Sequence, residues 1–146
     1  DASTGVIAWE VPYQAGTLEA VGLNGGKEVA RFALKTSGRP HAIVATPSVT
    51  TLKGQPDVVE ITVQVVDDKG LPVFMADDEI SCRIQGQARL LGMESGHPSD
   101  MGNYTDFRQR VYQGRLKAYV KPAPQAGPLT ITFSANWLQE AVVTLE

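Results

Sequence analysis

The sequence predicts an all-β chain built as an antiparallel sandwich, and three observations carry that reading. Apolar and polar residues alternate along most segments. Val59, Ile61, Val63 and Val65 fall on one strand face, with Glu60, Thr62 and Gln64 opposite. Turn formers interrupt these segments at short intervals, at Asp67 to Gly70, Gly86, Gln113 with Gly114, and Gly127 with Pro128. No window of about eleven residues or more keeps an apolar helical stripe. About seven short strands with regular turns read as a sandwich.

In chain order, Val6 to Val11 reads as a first strand and Thr17 to Leu23 as a second. Asn24, Gly25 and Gly26 supply the positive φ of a tight turn, and Glu28 to Lys35 returns. Three strands are too little sheet to stand alone. Trp9, Val11, Leu18, Val21, Val29, Phe32 and Leu34 must therefore bury, either on the following sandwich or in a domain whose beginning is absent. The polar TSGRP at Thr36 to Pro40 reads as a junction. From Ala42, IVATPSVTTLKG reads as the first strand of the second sandwich. Pro47 belongs on its edge, where a missing N–H does no harm. Residues 79–85 and 88–93 add two short strands. Leu116, Ala118 and Val120 repeat the alternation, as do Leu129, Ile131 and Phe133. The β-branched run from Ala141 to Leu145 ends the series.

Bulk properties narrow the function. With 146 residues, the chain suits one domain, or one domain with a small partner. Apolar residues make up 42% and charged residues 20%, which supports a buried core. The net charge is −3 and no window is polybasic, so neither nucleic acid nor an anionic membrane is an expected partner. No apolar run approaches the roughly eighteen residues of a membrane-spanning helix. No signal peptide is legible, and the opening DASTG fits a mature start or an excised piece equally. Cys82 is the sole cysteine and alternates with Ile80 and Ile84, so it is expected in the core as a small hydrophobe. One thiol with two histidines makes no zinc site.

Two segments go further. The stretch WEVPYQAGTLEAVGLNGGKEVARFALKTSGRP supplies Trp9, Val11, Tyr13, Gly16 and Leu18, then an Asn24 turn before Lys27, then Thr36, Gly38 and Pro40. It resembles the end of a β-sandwich domain that follows the catalytic barrel in bacterial β-galactosidases of glycoside hydrolase family 2, with one extra glycine in the turn. The second segment runs from Thr46 to Pro122. Its strand into VVDDKGLPV, its Gly86 to Gly96 stretch and its Arg110 to Arg115 stretch resemble the C-terminal immunoglobulin-like domain of the same enzymes. The resemblance implies two parts. Residues 1–40 would be the C-terminal strands, a three-stranded remnant, of one β-sandwich, and residues 41–146 an immunoglobulin-like β-sandwich. It also implies that the two catalytic glutamates sit on a barrel upstream, that this region is non-catalytic, and that no cofactor is needed. Its partners would be the catalytic and other domains of the parent glycosidase. Through that enzyme it favours a periplasmic or secreted setting.

The residues themselves agree with a non-catalytic reading. Retaining glycosidases need two carboxyls about 5 Å apart around a sugar. Here Asp67 and Asp68 flank a turn, and Asp77, Asp78 and Glu79 precede a strand, which reads as solvated turn caps. Ser95, His97 and Asp100 are too close in sequence for a relay, and no Gly-x-Ser-x-Gly elbow exists. Glu94, Asp100, Asn103 and Asp106 are oxygen ligands on one loop, but their spacing fits no calcium motif.

What remains is the polar stretch GMESGHPSDMGNYTDFR at residues 92–108, read as a long excursion between the Arg89 to Met93 strand and a Val111 to Val120 strand. Long loops on rigid scaffolds make contacts, so His97, Asp100, Tyr104 and Arg108 are the candidate contact residues. Carbohydrate-binding modules stack exposed rings on sugar faces. Trp137, at a turn, joins Tyr104 as a candidate platform, while Trp9 is expected to pack inward. The leading expectation is a structural accessory module that fixes domain arrangement, makes a subunit contact or forms part of the substrate-cleft rim. The alternative is a carbohydrate-binding or adhesion module.

Overall fold

A computed structural model describes residues 3–54 and 56–146. The chain divides into two compact units, Asp1–Thr36 and Ser37–Glu146.

The first unit is a hairpin. Strand β1 (Thr17–Asn24) pairs antiparallel with β2 (Lys27–Lys35), and Gly25 and Gly26, at φ 57° and 79°, make the turn. At the open end the amide of Thr36 donates to the Gly16 carbonyl, and the Gly16 amide donates to Thr36 Oγ1. The register places Leu18, Ala20, Phe32 and Leu34 on one face, and Trp9 and Val11 line a groove with them. Two expectations are corrected here. Among the described residues the remnant has two strands, not three: Val6 to Val11 is not part of a β-ladder, because alternation fixes a face but does not by itself set strand pairing. Trp9 does not pack inward and is 70% exposed. Every residue of both strands is exposed.

The second unit is the expected antiparallel sandwich. One sheet has the order β3-β4-β8-β6, formed by β3 (Ala42–Pro47), β4 (Val59–Val66), β8 (Arg115–Pro122) and β6 (Ala88–Glu94). The other has the order β10-β9-β5-β7, formed by β10 (Ala141–Leu145), β9 (Leu129–Ser134), β5 (Glu79–Gln85) and β7 (Arg108–Arg110). Their inner faces supply one core. Val59, Ile61, Val63, Leu116, Ala118 and Val120 come from the first sheet, and Ile80, Cys82, Leu129, Ile131 and Phe133 from the second. Pro47 lies on edge strand β3. Burial pushes the Cys82 thiol up to about 11, which keeps it protonated and unreactive at neutral pH.

Two details depart from the sequence reading. The strand expected over Val111 to Val120 begins only at Arg115, because Gln113 and Gly114, at φ 51° and 72°, turn the chain first. An eighth strand of the sandwich, β7, was hidden at the end of the polar stretch. Asp67 is also not a solvated cap. It is buried, and it accepts from the amides of Gly38 (2.7 Å), Lys69 (2.9 Å) and Leu71 (2.8 Å). These donors, Gly38 first, hold its carboxyl below the usual range.

Candidate functional site

The polar stretch is the crossover from β6 in one sheet to β7 in the other. It is fastened at both ends. The Met93 amide donates to the Tyr104 carbonyl at 2.8 Å, and the Cys82 amide donates to the Phe107 carbonyl at 2.8 Å. Gly92 makes the first contact possible, since a Cβ there would lie 2.7 Å from the Tyr104 oxygen.

Within the crossover, Asp100 is the hub. Its Oδ1 accepts from the Gly102 amide and its Oδ2 from Gln109 Nε2, both at 2.8 Å. Its carbonyl accepts from the Tyr104 hydroxyl at 2.8 Å. His97 Nδ1 accepts from the Ser99 amide at 3.1 Å, so the neutral ring carries its proton on Nε2. The ring meets Tyr112 edge to face at 4.5 Å. These bonds shape the loop. Both Asp100 carboxylate oxygens and Nδ1 of His97 thus each accept a bond from within the crossover or the strand that follows it.

The structure thus brings His97, Asp100 and Tyr104 together but sends Arg108 and Trp137 elsewhere. Both of those line a polar groove on the outer face of the second sheet. The register explains it. Ser81 sits opposite Arg108 on one side and Ser134 on the other, and Glu79 sits opposite Arg110. Opposite residues share a face. Ile80 and Cys82 turn inward, so Glu79, Ser81, Arg108, Arg110 and Ser134 all turn outward. Arg108 reaches Glu79 at 4.0 Å and Arg110 reaches Asp77 at 3.8 Å, while Arg110 also donates to the Asp77 carbonyl at 2.6 Å.

Trp137 stands in the turn between β9 and β10 at φ 67° and is 99% exposed. A bulky residue in the left-handed region is an outlier that costs on the order of 1–3 kcal/mol. Sequence reasoning missed Asp77, Arg110 and Asn136 as lining residues. The alternation of Glu79 with Ser81 and of Arg108 with Arg110 was the available signal, but it needed the pairing of β5 with β7 to be read.

Among the described residues, Glu28 and Asp67 are the carboxyls held below their ordinary range, Glu28 by the hydrogen bond from Arg31 and Asp67 by backbone amides. Among the described residues, no group of three or more His, Cys, Asp or Glu side chains is placed to hold a metal ion.

Fold and surface together define a β-sandwich domain with a built inter-sheet loop and a polar outer groove. The family model described as glycoside hydrolase family 2 C-terminal domain 5 matches residues 43–144, and the chain belongs to that family. A second model, described as a domain of unknown function, matches residues 1–30. A β-galactosidase of Bacteroides ovatus is 28% identical over 141 residues, covering 95% of this chain and 16% of that protein. A crystal structure of a β-glycosidase from Bacteroides vulgatus superposes with a TM-score of 0.87 at 30% identity, covering 94% of this chain and 18% of the other. A family 2 glycosyl hydrolase of Bacteroides cellulosilyticus gives a TM-score of 0.92 at 25% identity, covering 99% and 20%. The chain therefore spans a fifth or less of these enzymes, and the matched fraction does not cover their catalytic domain.

Proposed function

We propose that this chain is the structural C-terminal region of a β-galactosidase-like glycosidase and that it carries no hydrolytic chemistry of its own. In this reading residues 1–40 complete a preceding β-sandwich domain, and residues 41–146 form an immunoglobulin-like domain that fixes the arrangement of its neighbours. The observation that carries it is the contrast between a filled sandwich core and a hairpin whose Leu18, Phe32 and Leu34 stay exposed. A two-stranded hairpin is marginal by itself, and an apolar face of this kind is completed by further sheet. Catalysis would belong to a barrel elsewhere in the parent enzyme. The inter-sheet loop around His97, Asp100 and Tyr104, rigidly bonded at both ends, would be the contact toward the catalytic domain, the rim of its cleft or a second subunit.

The test is direct. The purified 146-residue chain is assayed with chromogenic β-galactosides and β-glucuronides. No turnover is expected. Hydrolysis that persists through repurification and scales with the chain would overturn the reading.

A further inference from the structure

We propose that Asp67 latches the junction between the two units onto the sandwich, so that the hinge of the chain is confined to a single residue, Ser37. The proposal concerns the chain's own backbone and holds whether or not the chain serves a glycosidase.

The polar run from Thr36 to Pro40 has the composition of a loose connection, yet it is fastened on both sides. On the hairpin side, the Thr36 amide donates to the Gly16 carbonyl at 2.8 Å, and Thr36 Oγ1 accepts from the Gly16 amide at 3.1 Å. On the sandwich side, the Gly38 amide donates to Asp67 Oδ2 at 2.7 Å and the His41 amide to the Val66 carbonyl at 2.9 Å. Val66 ends β4 and Asp67 follows it, so one strand end holds both donors. Between them, Pro40 has a fixed φ and biases Arg39 toward extended backbone. Residues 38–41 therefore move with the sandwich. Ser37 lies alone between the two fastenings, and among the described residues it makes no hydrogen bond. Hinges of this kind are a few residues that absorb the whole change in φ and ψ.

The two oxygens of Asp67 divide the work. Oδ1 accepts from the amides of Lys69 and Leu71, at 2.9 and 2.8 Å, and so completes the turn after β4. One oxygen is enough for that, and an asparagine would supply it. Oδ2 serves Gly38 alone. Asp67 is only 3% exposed, and a buried carboxylate is tolerated when its oxygens are partnered. The junction amide is thus the partner that a full carboxylate, rather than an amide side chain, requires here. Glycine is not what the contact needs: a Cβ on Gly38 would rest 3.5 Å from Oδ2, an ordinary separation. With the latch open, the next fastening is the His41 amide, and the hinge spreads over residues 37–40.

The experiment uses the whole 146-residue chain, labelled with 15N and read by amide hydrogen exchange and backbone relaxation. Slow exchange is expected at Gly38, with fast motion in the junction restricted to Ser37. Asp67→Asn is the decisive variant. Its one oxygen can keep the Lys69 and Leu71 bonds, while its NH2 faces the Gly38 N–H, donor against donor. Exchange at Gly38 should rise by about tenfold or more, the scale of one lost hydrogen bond to a charged group. Motion should spread over residues 37–40, and the Leu71 amide should stay protected. Asp68→Asn, next in the chain and exposed, should leave the junction as it was. Val120→Ala controls for lost stability, because Val120 is buried opposite Val59 at the far end of β4. Well below its Tm it should leave the junction unchanged. Three results would overturn the proposal: a Gly38 amide that exchanges as freely as that of Arg39 in the unaltered chain; a junction no more mobile in Asp67→Asn; or equal mobilisation by Val120→Ala, which would make Asp67 a contributor to global stability and nothing more.

Discussion

The hairpin and the sandwich are written in the same local code and end in different physical states. Both alternate apolar and polar residues, and both turn on glycine. In the sandwich, Val59, Ile61, Val63, Ile131 and Phe133 are fully buried between two sheets. In the hairpin, every strand residue is exposed and Phe32 keeps 66% of its surface. Alternation therefore tells which residues share a face. It does not tell whether anything covers that face. Hydrophobic stabilisation follows the area removed from water, so apolar substitutions should cost much in the sandwich and little in the hairpin.

The largest effect is expected at the centre of the sandwich. Phe133→Ala should cost about 3–5 kcal/mol in chemical denaturation, through lost transfer energy and a cavity between the sheets. A cost near zero would mean that the core is not the unit of stability.

A middle effect separates two lowered carboxylates. Asp67 is fixed by three amides in the sandwich, whereas Glu28 owes its shift to the exposed guanidinium of Arg31 in the hairpin. A depressed folded-state value means the group stabilises the fold above its ordinary range, and that contribution is lost as pH falls through the depressed value. Asp67→Asn should lower Tm by several degrees at neutral pH and flatten the acid limb of the Tm profile. Glu28→Gln should change neither measurably, because an exposed pair is screened by water and salt. Equal behaviour of the two variants would erase the distinction between the regions.

The smallest effect belongs to the hairpin. Phe32→Ser should change the unfolding free energy by no more than about 0.5 kcal/mol, as at other exposed positions. It should nevertheless reduce binding of a hydrophobic dye to the chain. A large loss of stability would show that the Phe32 face is already covered.

The surface followed the same divide. Trp137 was legible as a turn residue open to solvent because Ala135 and Asn136 precede it and a β-branched run follows. Arg108 was read with His97 and Asp100 because it is near them in sequence. The chain places it instead opposite Ser81, on the far sheet, through a strand of three residues. A strand that short has no detectable period. Asp67 reads as a solvated cap because it stands beside Asp68 and Lys69 in a turn. Its carboxylate instead accepts from the Gly38 amide, which lies 29 positions away.

What the sequence alone determined is local. It set the alternation of side chains, the positive-φ turns at Gly25, Gly26 and Gly114, and the apolar stripes that require burial. Those properties depend on a residue and its near neighbours, through sterics and the pleat. The tertiary structure decided which strands pair, which faces meet, and which polar side chains share the groove around Trp137. Pairing joins backbones far apart in the chain, and its register brings Glu79, Arg110, Ser81 and Ser134 onto one outer face. That adjacency is a property of the sheet, written in hydrogen bonds between strands rather than in any single stretch of residues.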